Sequence, residues 1–208
     1  MPDLNAPTLP VLPLGTGVVL PSMVVSILLE TPEARAGAEA AIDGRVLVVP
    51  KVEGRYARIG TIARIEDRGT LPNGQPAVMV RALQRAVLGA GVPGSGSALW
   101  LQVEPVTEPP ATERARTLAK EYRAVVESIL EHRRAPQVVA ALRNIEEPGA
   151  MADSAGYSPD LSLERKVEIL ETIDVEARLE KVLEWAKETL ADITLKERIN
   201  RDVAEGME

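Results

Sequence analysis

Apolar residues in the first half of the chain form short runs that predict β-strands. Runs of strand length, some with period two, cover residues 9–14, 23–29, 46–49, 59–65, 77–88 and 99–103. Asn73-Gly74, between the fourth and fifth of these runs, is a strong signal for a tight hairpin. Pro32 lies between the second and third runs, where it can open a short helix as its first residue. The pattern predicts a closed or strongly curled antiparallel sheet with one short helix.

The second half of the chain has the period of helices. Leu118, Tyr122, Val125 and Ile129 fall on one face of an amphipathic helix of about five turns. Further helices are predicted over residues 136–142 and 163–170, after an N-cap at Asp174, and after a capping box at Thr194-Leu195-Lys196-Glu197. Together these segments predict a helical bundle.

A proline-rich linker over residues 104–110 separates the two patterns. We therefore predict a β domain over residues 1–108 and a helical bundle over residues 112–208. The last helix of the bundle is predicted to be truncated, because no sequence segment after it offers a packing partner.

The composition is that of a soluble globular protein with an aliphatic core. Hydrophobic residues make up 45% of the chain and charged residues 26%, but there are only two Trp, three Tyr and no Phe. The formal net charge is −7. An acidic chain with few aromatic rings is poorly suited to bind a phosphate backbone or to stack bases, so nucleic acid is an unexpected partner.

The amino-terminal sequence lacks the marks of a targeting or membrane segment. No basic residue precedes Arg35, and the first apolar run is interrupted by Pro21, Ser22 and Ser26. A signal peptide has a basic start and an unbroken apolar stretch, and a membrane-spanning helix needs about 18 or more apolar residues. The absence of cysteine is consistent with a reducing compartment. We expect a cytoplasmic protein without a membrane partner.

Motifs for chemistry are almost absent from the sequence. Residues 89–94 match G-x-G-x-x-G, but they lead into a predicted strand instead of the helix that a dinucleotide site requires. His132 is the sole histidine, so a metal site or a catalytic triad would need its other members elsewhere, and a surface or helix-end role fits it better. We expect no catalytic residue, no metal site, and no ATPase or peptidase activity from these residues alone.

Two apolar segments are candidates for binding another polypeptide. Val18, Val19, Leu20, Pro21 and Met23 form an almost wholly apolar connection between two predicted strands. Such a connection is either buried beneath the short helix or exposed as a binding site. The second candidate is the apolar stripe of the last predicted helix, which consists of Ile199, Val203 and Met207.

Several phrases of the sequence, taken in order, resemble the amino-terminal domain of the Lon protease family. The opening 9–14 with 18–21 is similar to the family's "L-P-hydrophobic-hydrophobic-P-L … hydrophobic-L-P" phrase. Residues 58–65, Leu71-Pro72-Asn73-Gly74 and 80–86 are similar to its "G-T-hydrophobic-A-x-I … L-P-x-G … V-x-G-x-x-R" stretch, with Ala82 where the family usually has Gly.

The most specific likeness lies in the second half. Residues 166–179 resemble the family signature "Q-x-hydrophobic-L-E-x-x-D-V-x-x-R-L", and Ala152-Asp153 echoes its "L-A-D" phrase. The likeness implies a PUA-like β domain followed by a helical bundle. It also implies a larger parent, a homohexameric ATP-dependent serine protease with ATP and Mg as cofactors, whose ATPase and protease modules are not among these residues.

The resemblance implies a role in recognising misfolded or regulatory client proteins by their exposed apolar segments. An alternative is a stand-alone adaptor with the same fold and no protease. The coding sequence after Glu208 discriminates the two, since the protease continues into heptads and then into a phosphate-binding loop. A nucleic-acid module is a third possibility that the net charge of −7 disfavours.

Overall fold

Strands occupy the first half of the chain and helices the second, as predicted. The computed structural model describes residues 6–206. The strands are β1 (Thr8–Leu14), β2 (Val24–Leu28), β3 (Arg45–Val52), β4 (Arg55–Tyr56), β5 (Ile59–Thr70), β6 (Pro76–Val92) and β7 (Trp100–Pro105). The helices are α1 (Pro32–Ala40), α2 (Glu113–His132), α3 (Pro136–Arg143), α4 (Pro148–Asp153), α5 (Leu163–Glu171) and α6 (Val175–Glu205), with a 3-10 turn at Ser154–Tyr157. The α+β class is confirmed.

The predicted hairpin joins β5 to β6. Gly74 has φ +83°, a conformation that costs a glycine little, and its N–H donates to the Leu71 carbonyl at 2.8 Å. The Asn73 carboxamide oxygen accepts from the Gln75 N–H at 3.1 Å. These local bonds set the register of the two longest strands of the sheet.

The sheet is strongly curled around an aliphatic core. Its strand order is β1-β7-β6-β5-β3-β4, and β2 pairs with β6 beside this path. Its neighbouring strands pair antiparallel as predicted, with one additional parallel pairing between β1 and β3. It is not a closed barrel of all strands, since β2 and β4 each pair on one side only in the described chain. The core between the strands is formed by Leu9, Val11, Leu47, Val49, Ile62, Ala86, Leu101 and Val103.

The chain forms two compact units, and it passes between them more than once. The sheet unit comprises residues 1–107 and 156–173, and the helical unit comprises residues 108–155 and 174–208. The division near residue 108 coincides with the predicted linker. Residues 156–173, which the sequence pattern places in the helical bundle, belong instead to the sheet unit.

The predicted break before Thr194 does not exist. Asp174 caps the start of α6 as predicted, accepting from the Ala177 N–H at 2.8 Å. The helix then runs without interruption to Glu205. The Thr194 hydroxyl donates to the Leu190 carbonyl at 2.9 Å, a bond that a threonine makes inside a helix, and no Gly or Pro precedes it to end the helix.

Replacing Gly37 with alanine is expected to destabilise the sheet unit. A Cβ at this position of α1 would lie 2.0 Å from the backbone oxygen of Val11 in β1. Neither backbone can move aside easily, so we expect a loss of about 1–3 kcal/mol in the free energy of unfolding, measured by urea denaturation. Glu39→Ala, at an exposed position of the same helix, is the control. Equal stabilities of the two variants would contradict the prediction.

Candidate functional site

The apolar connection between β1 and β2 is buried, which is one of the two alternatives that the sequence left open. Val18, Val19, Leu20 and Met23 are each less than a tenth exposed, and Pro21 is half-buried. In this conformation the side chains of these residues are core of the sheet unit and do not offer a ready surface to a client protein.

The connection is buried because its backbone and side chains find partners within the sheet unit. Thr61 donates its hydroxyl to the Val19 carbonyl at 2.7 Å. The Met23 N–H donates to the Leu20 carbonyl at 3.2 Å and closes a four-residue turn. Pro21 occupies the second position of this turn and Ser22, with φ +71°, the third, which is the pattern of a type II turn. A Cβ at Gly156 would lie 2.7 Å from the Met23 sulfur. The cover therefore comes from a segment far away in sequence.

The apolar stripe of α6 is exposed. Leu195, Ile199 and Val203 are each more than half exposed at intervals of four residues along one side of the helix. Met207, the third residue of the predicted stripe, lies outside the described residues. The stripe remains a candidate surface for binding another polypeptide.

Strand β2 has an open edge, which the sequence analysis did not predict. Its register with β6 pairs Val25 with Val80 and Ile27 with Val78. The Leu29 N–H donates to the Pro76 carbonyl, and the Met23 carbonyl accepts from the Ala82 N–H. Because hydrogen-bonded and non-hydrogen-bonded positions alternate along an antiparallel ladder, the odd-numbered residues of β2 direct their backbone groups towards β6.

The even-numbered residues of β2 direct their backbone groups away from β6. The Val24 N–H donates to the Tyr157 hydroxyl at 3.0 Å, on the side opposite the ladder. The N–H groups of Ser26 and Leu28 point to the same side, and residues 6–206 provide neither with a hydrogen-bond partner. Tyr157 therefore ends a short row of available backbone groups.

A cleft of about 290 Å³ runs beside this edge. One wall is β2 and the other is the connection that follows β1; the lining residues are Leu14, Thr16, Gly17, Val18, Val19, Val25, Ser26, Ile27, Leu28 and Glu30. Glu30 is the single charged residue among them. The cleft is thus largely apolar with one acidic group at the carboxyl end of β2.

The outward face of β2 and β6 carries exposed apolar side chains. Leu28 is 39% exposed and Met79 is 37% exposed. They are diagonal neighbours across the ladder, since Met79 pairs with Ser26 and Leu28 pairs with Ala77. Next to them Arg81 donates to Glu66 at 2.5 Å, and this hydrogen bond raises the pKa of the Arg81 guanidinium. The result is an apolar patch with a neutralised charge pair at its border.

Chemical groups are sparse elsewhere in the described chain. Gly89 and Gly91 lie within β6, and a Cβ at Gly94 would meet the Trp100 ring, so the glycine motif forms part of a hairpin and not a nucleotide loop. The His132 ring bonds Glu197 at 2.9 Å on the surface of the helical unit. Between residues 6 and 206 there is no cluster of side chains suited to a metal ion, and no helix long and apolar enough to cross a membrane.

Comparison with known proteins identifies the family. Residues 8–188 match the substrate-binding domain of the ATP-dependent protease La (LON). The chain belongs to this family. The "Lon protease" of Salinispora arenicola is 46% identical over 97% of the chain, and that of Mycolicibacterium smegmatis is 43% identical over 98%. The chain spans about a quarter of the length of these relatives, 26% of each.

A solved structure has the same fold. The N-terminal domain of the Mycobacterium avium complex Lon protease superposes with a TM-score of 0.81 at 37% identity, covering 87% of this chain and 98% of that one. The resemblance found in the sequence to the amino-terminal domain of the Lon protease family is therefore confirmed.

The phrase of residues 80–86 contains a buried arginine of the sheet unit, Arg85. Arg85 donates from Nε to the Leu170 carbonyl at 2.9 Å and from Nη2 to the Ile169 carbonyl at 3.0 Å. These carbonyls lie in the last turn of α5, where a cation is favoured by the helix dipole. The Arg85 side chain thus links two segments that carry the family resemblance, residues 80–86 and residues 166–179.

The signature of residues 166–179 supplies a second buried arginine, in the helical unit. Both carboxylate oxygens of Asp153 accept from Arg178 Nη1 at 3.1 Å. Glu108 accepts from Arg178 Nη2. Arg85, Asp153 and Arg178 belong to the motifs that carry the family resemblance. Their hydrogen-bond partners could not be predicted from the sequence, because no local pattern indicates that a charged residue is buried.

Proposed function

We propose that this domain recognises client polypeptides for a Lon-type ATP-dependent serine protease. The clients are misfolded or regulatory proteins, and the property that is recognised is an exposed apolar segment. Membership of the Lon substrate-binding domain family supports the recognition role. An unfolded chain differs from a folded one by the apolar surface that it leaves in water, so an apolar surface on the domain suits this task.

The remaining features of the proposal concern the parent protein. We propose that it is a cytoplasmic homohexamer, so that six copies of this domain surround the entrance through which clients reach the protease. ATP and Mg are bound by other modules of the parent protein. The length of the "Lon protease" relatives, about four times that of this chain, supports the presence of such modules. The acidic net charge of −7 disfavours nucleic acid as a partner of this surface.

The observation that carries the proposal is the apolar patch formed by Leu28 and Met79 on the outward face of β2 and β6. Both side chains are already more than a third exposed in the free domain. Covering such side chains is favourable by roughly 25 cal/mol per Å² of apolar area. Weak binding at each copy is sufficient if several copies contact one client.

Exchange of both Leu28 and Met79 for serine is expected to weaken binding of unfolded protein at least tenfold. The physical reason is the loss of roughly 1 kcal/mol of apolar burial at each side chain. The measurement is fluorescence anisotropy with a chemically unfolded protein, its disulfides reduced and its cysteines alkylated. Ile42→Ser is the matched control, because Ile42 is 89% exposed and belongs to neither β2 nor β6.

Two results would count against the proposal. The first is equal binding by the double variant and the unaltered domain. The second is equal weakening by the double variant and by Ile42→Ser. If instead Ile199→Ser alone abolishes binding, the client surface is the stripe of α6.

A further inference from the structure

We propose that the open edge of β2 binds a client segment by strand addition, so that the segment becomes an extra strand beside β2. This inference rests on the proposed function and specifies its geometry. The occupant is an extended, mainly apolar polypeptide segment with a basic residue near one end.

The backbone groups of β2 select an extended polypeptide as the occupant. The N–H groups of Ser26 and Leu28 point away from β6 and have no partner within residues 6–206. Alternate residues of a strand are spaced by roughly 6.8 Å, which is also the spacing of the backbone groups along one edge of an added strand. A side-chain patch alone accepts any apolar object, whereas this row of donors and acceptors matches a peptide backbone.

Tyr157 supplies evidence that the edge takes hydrogen bonds on this side. Its hydroxyl accepts from the Val24 N–H at 3.0 Å, which satisfies the first outward group of the strand. The added strand therefore begins after Tyr157 and lies along residues 25–28. This is a short edge, and it provides weak binding that does not depend on one client sequence.

The cleft and its charge define the side chains of the segment. With a volume of about 290 Å³ and a lining of mostly apolar residues, it accepts apolar side chains on the inner side of the added strand. Leu28 and Met79 lie on the outward face, where the alternate side chains of the segment pass. Glu30, the one charged lining residue, favours a lysine or arginine at the end of the segment beside it.

Methylation of the peptide backbone tests the inference on the unaltered chain. The probe is a fluorescent peptide of about ten residues with alternating valine and threonine and a lysine at one end. A strand added to an edge uses only every second amide, so N-methylation of one alternating set is expected to weaken binding about tenfold or more. N-methylation of the other set, at the same number of amides, is expected to leave binding within about twofold. Equal effects of the two sets, or no effect of either, would overturn strand addition.

Ser26→Pro tests the same edge from the side of the protein. Proline removes the outward N–H of Ser26 and leaves the ladder to β6 intact, because that ladder uses the odd-numbered residues. We expect at least a tenfold loss of peptide binding with an unchanged melting temperature, and Ser26→Ala is the control that keeps the N–H. Normal binding by Ser26→Pro would overturn the inference. The proposed function would still stand if the Leu28 and Met79 double variant had lost binding, and it would fail if the unaltered chain bound neither unfolded protein nor peptide.

Discussion

Replacement of Arg178 with methionine is expected to cost about 3–5 kcal/mol of the free energy of unfolding of the helical unit. Arg178 is fully buried, and its guanidinium binds both oxygens of the buried Asp153 carboxylate as well as Glu108. Methionine preserves much of the packing volume but removes the charge. Asp153 would then keep a buried negative charge without its cation. Urea denaturation followed by far-ultraviolet circular dichroism measures the loss.

A second substitution separates the effect of the unpaired charge on stability from the effect of altered packing. In Arg178→Met with Asp153→Leu, the uncompensated carboxylate is gone, so the double variant is expected to recover at least half of the lost stability. Arg178→Lys keeps the charge but not the planar fork that binds the carboxylate, and we expect an intermediate loss. A single Arg178→Met variant that loses less than about 1 kcal/mol would show that Asp153 is not held by this pair.

Replacement of Arg85 with methionine is expected to release α5 from the sheet. Arg85 is buried and donates to the Ile169 and Leu170 carbonyls in the last turn of α5. Hydrogen bonds from a charged donor contribute roughly 1.5–3 kcal/mol each, so we expect a loss of about 3 kcal/mol or more. Hydrogen exchange should then be faster at the amides of residues 163–171 than at those of β5 and β6.

The control for this prediction is Arg58→Met. The exposed Arg58 side chain forms an ion pair with Glu171, with 3.1 Å between the two charged groups. An exposed ion pair of this kind contributes little to the free energy of unfolding. We expect that variant to leave exchange in α5 nearly unchanged. If the amides of α5 exchange at the same rate in Arg85→Met as in the unaltered chain, the prediction is wrong. The apolar contacts of Ile169 and Leu170 would then be sufficient to hold the helix.

Local sequence signals predicted most of the elements in the fold. The hairpin at Asn73-Gly74 and the caps of the helices depend on bonds between residues a few positions apart, so their signal is contained in short windows. The helix start predicted from the capping box at Thr194 is wrong because it, too, rested on a short window of sequence. Its residues are compatible with a helix interior as well, and only the absence of a preceding helix breaker distinguishes the two cases.

The candidate site was much less predictable than the elements. Leu20 and Met23 lie against Gly156, which is more than a hundred positions away, and no periodicity in the sequence indicates that contact. The open edge of β2 follows from the strand order, which an alternating pattern does not specify. The buried arginines are likewise invisible locally, since Arg85 and Arg178 resemble any other surface charge until their partners are known.

The discontinuous composition of the sheet unit affects the order in which the protein can fold during synthesis. Its strands are complete once residue 107 has left the ribosome, but Gly156 and the carbonyls that receive Arg85 follow only with the segment up to residue 173. At about 5–20 residues per second the 49 residues from residue 107 to Gly156 take roughly 2–10 seconds to synthesise. For that interval Leu20 and Met23 lack their cover, and the nascent domain itself displays the kind of apolar surface by which clients are proposed to be recognised.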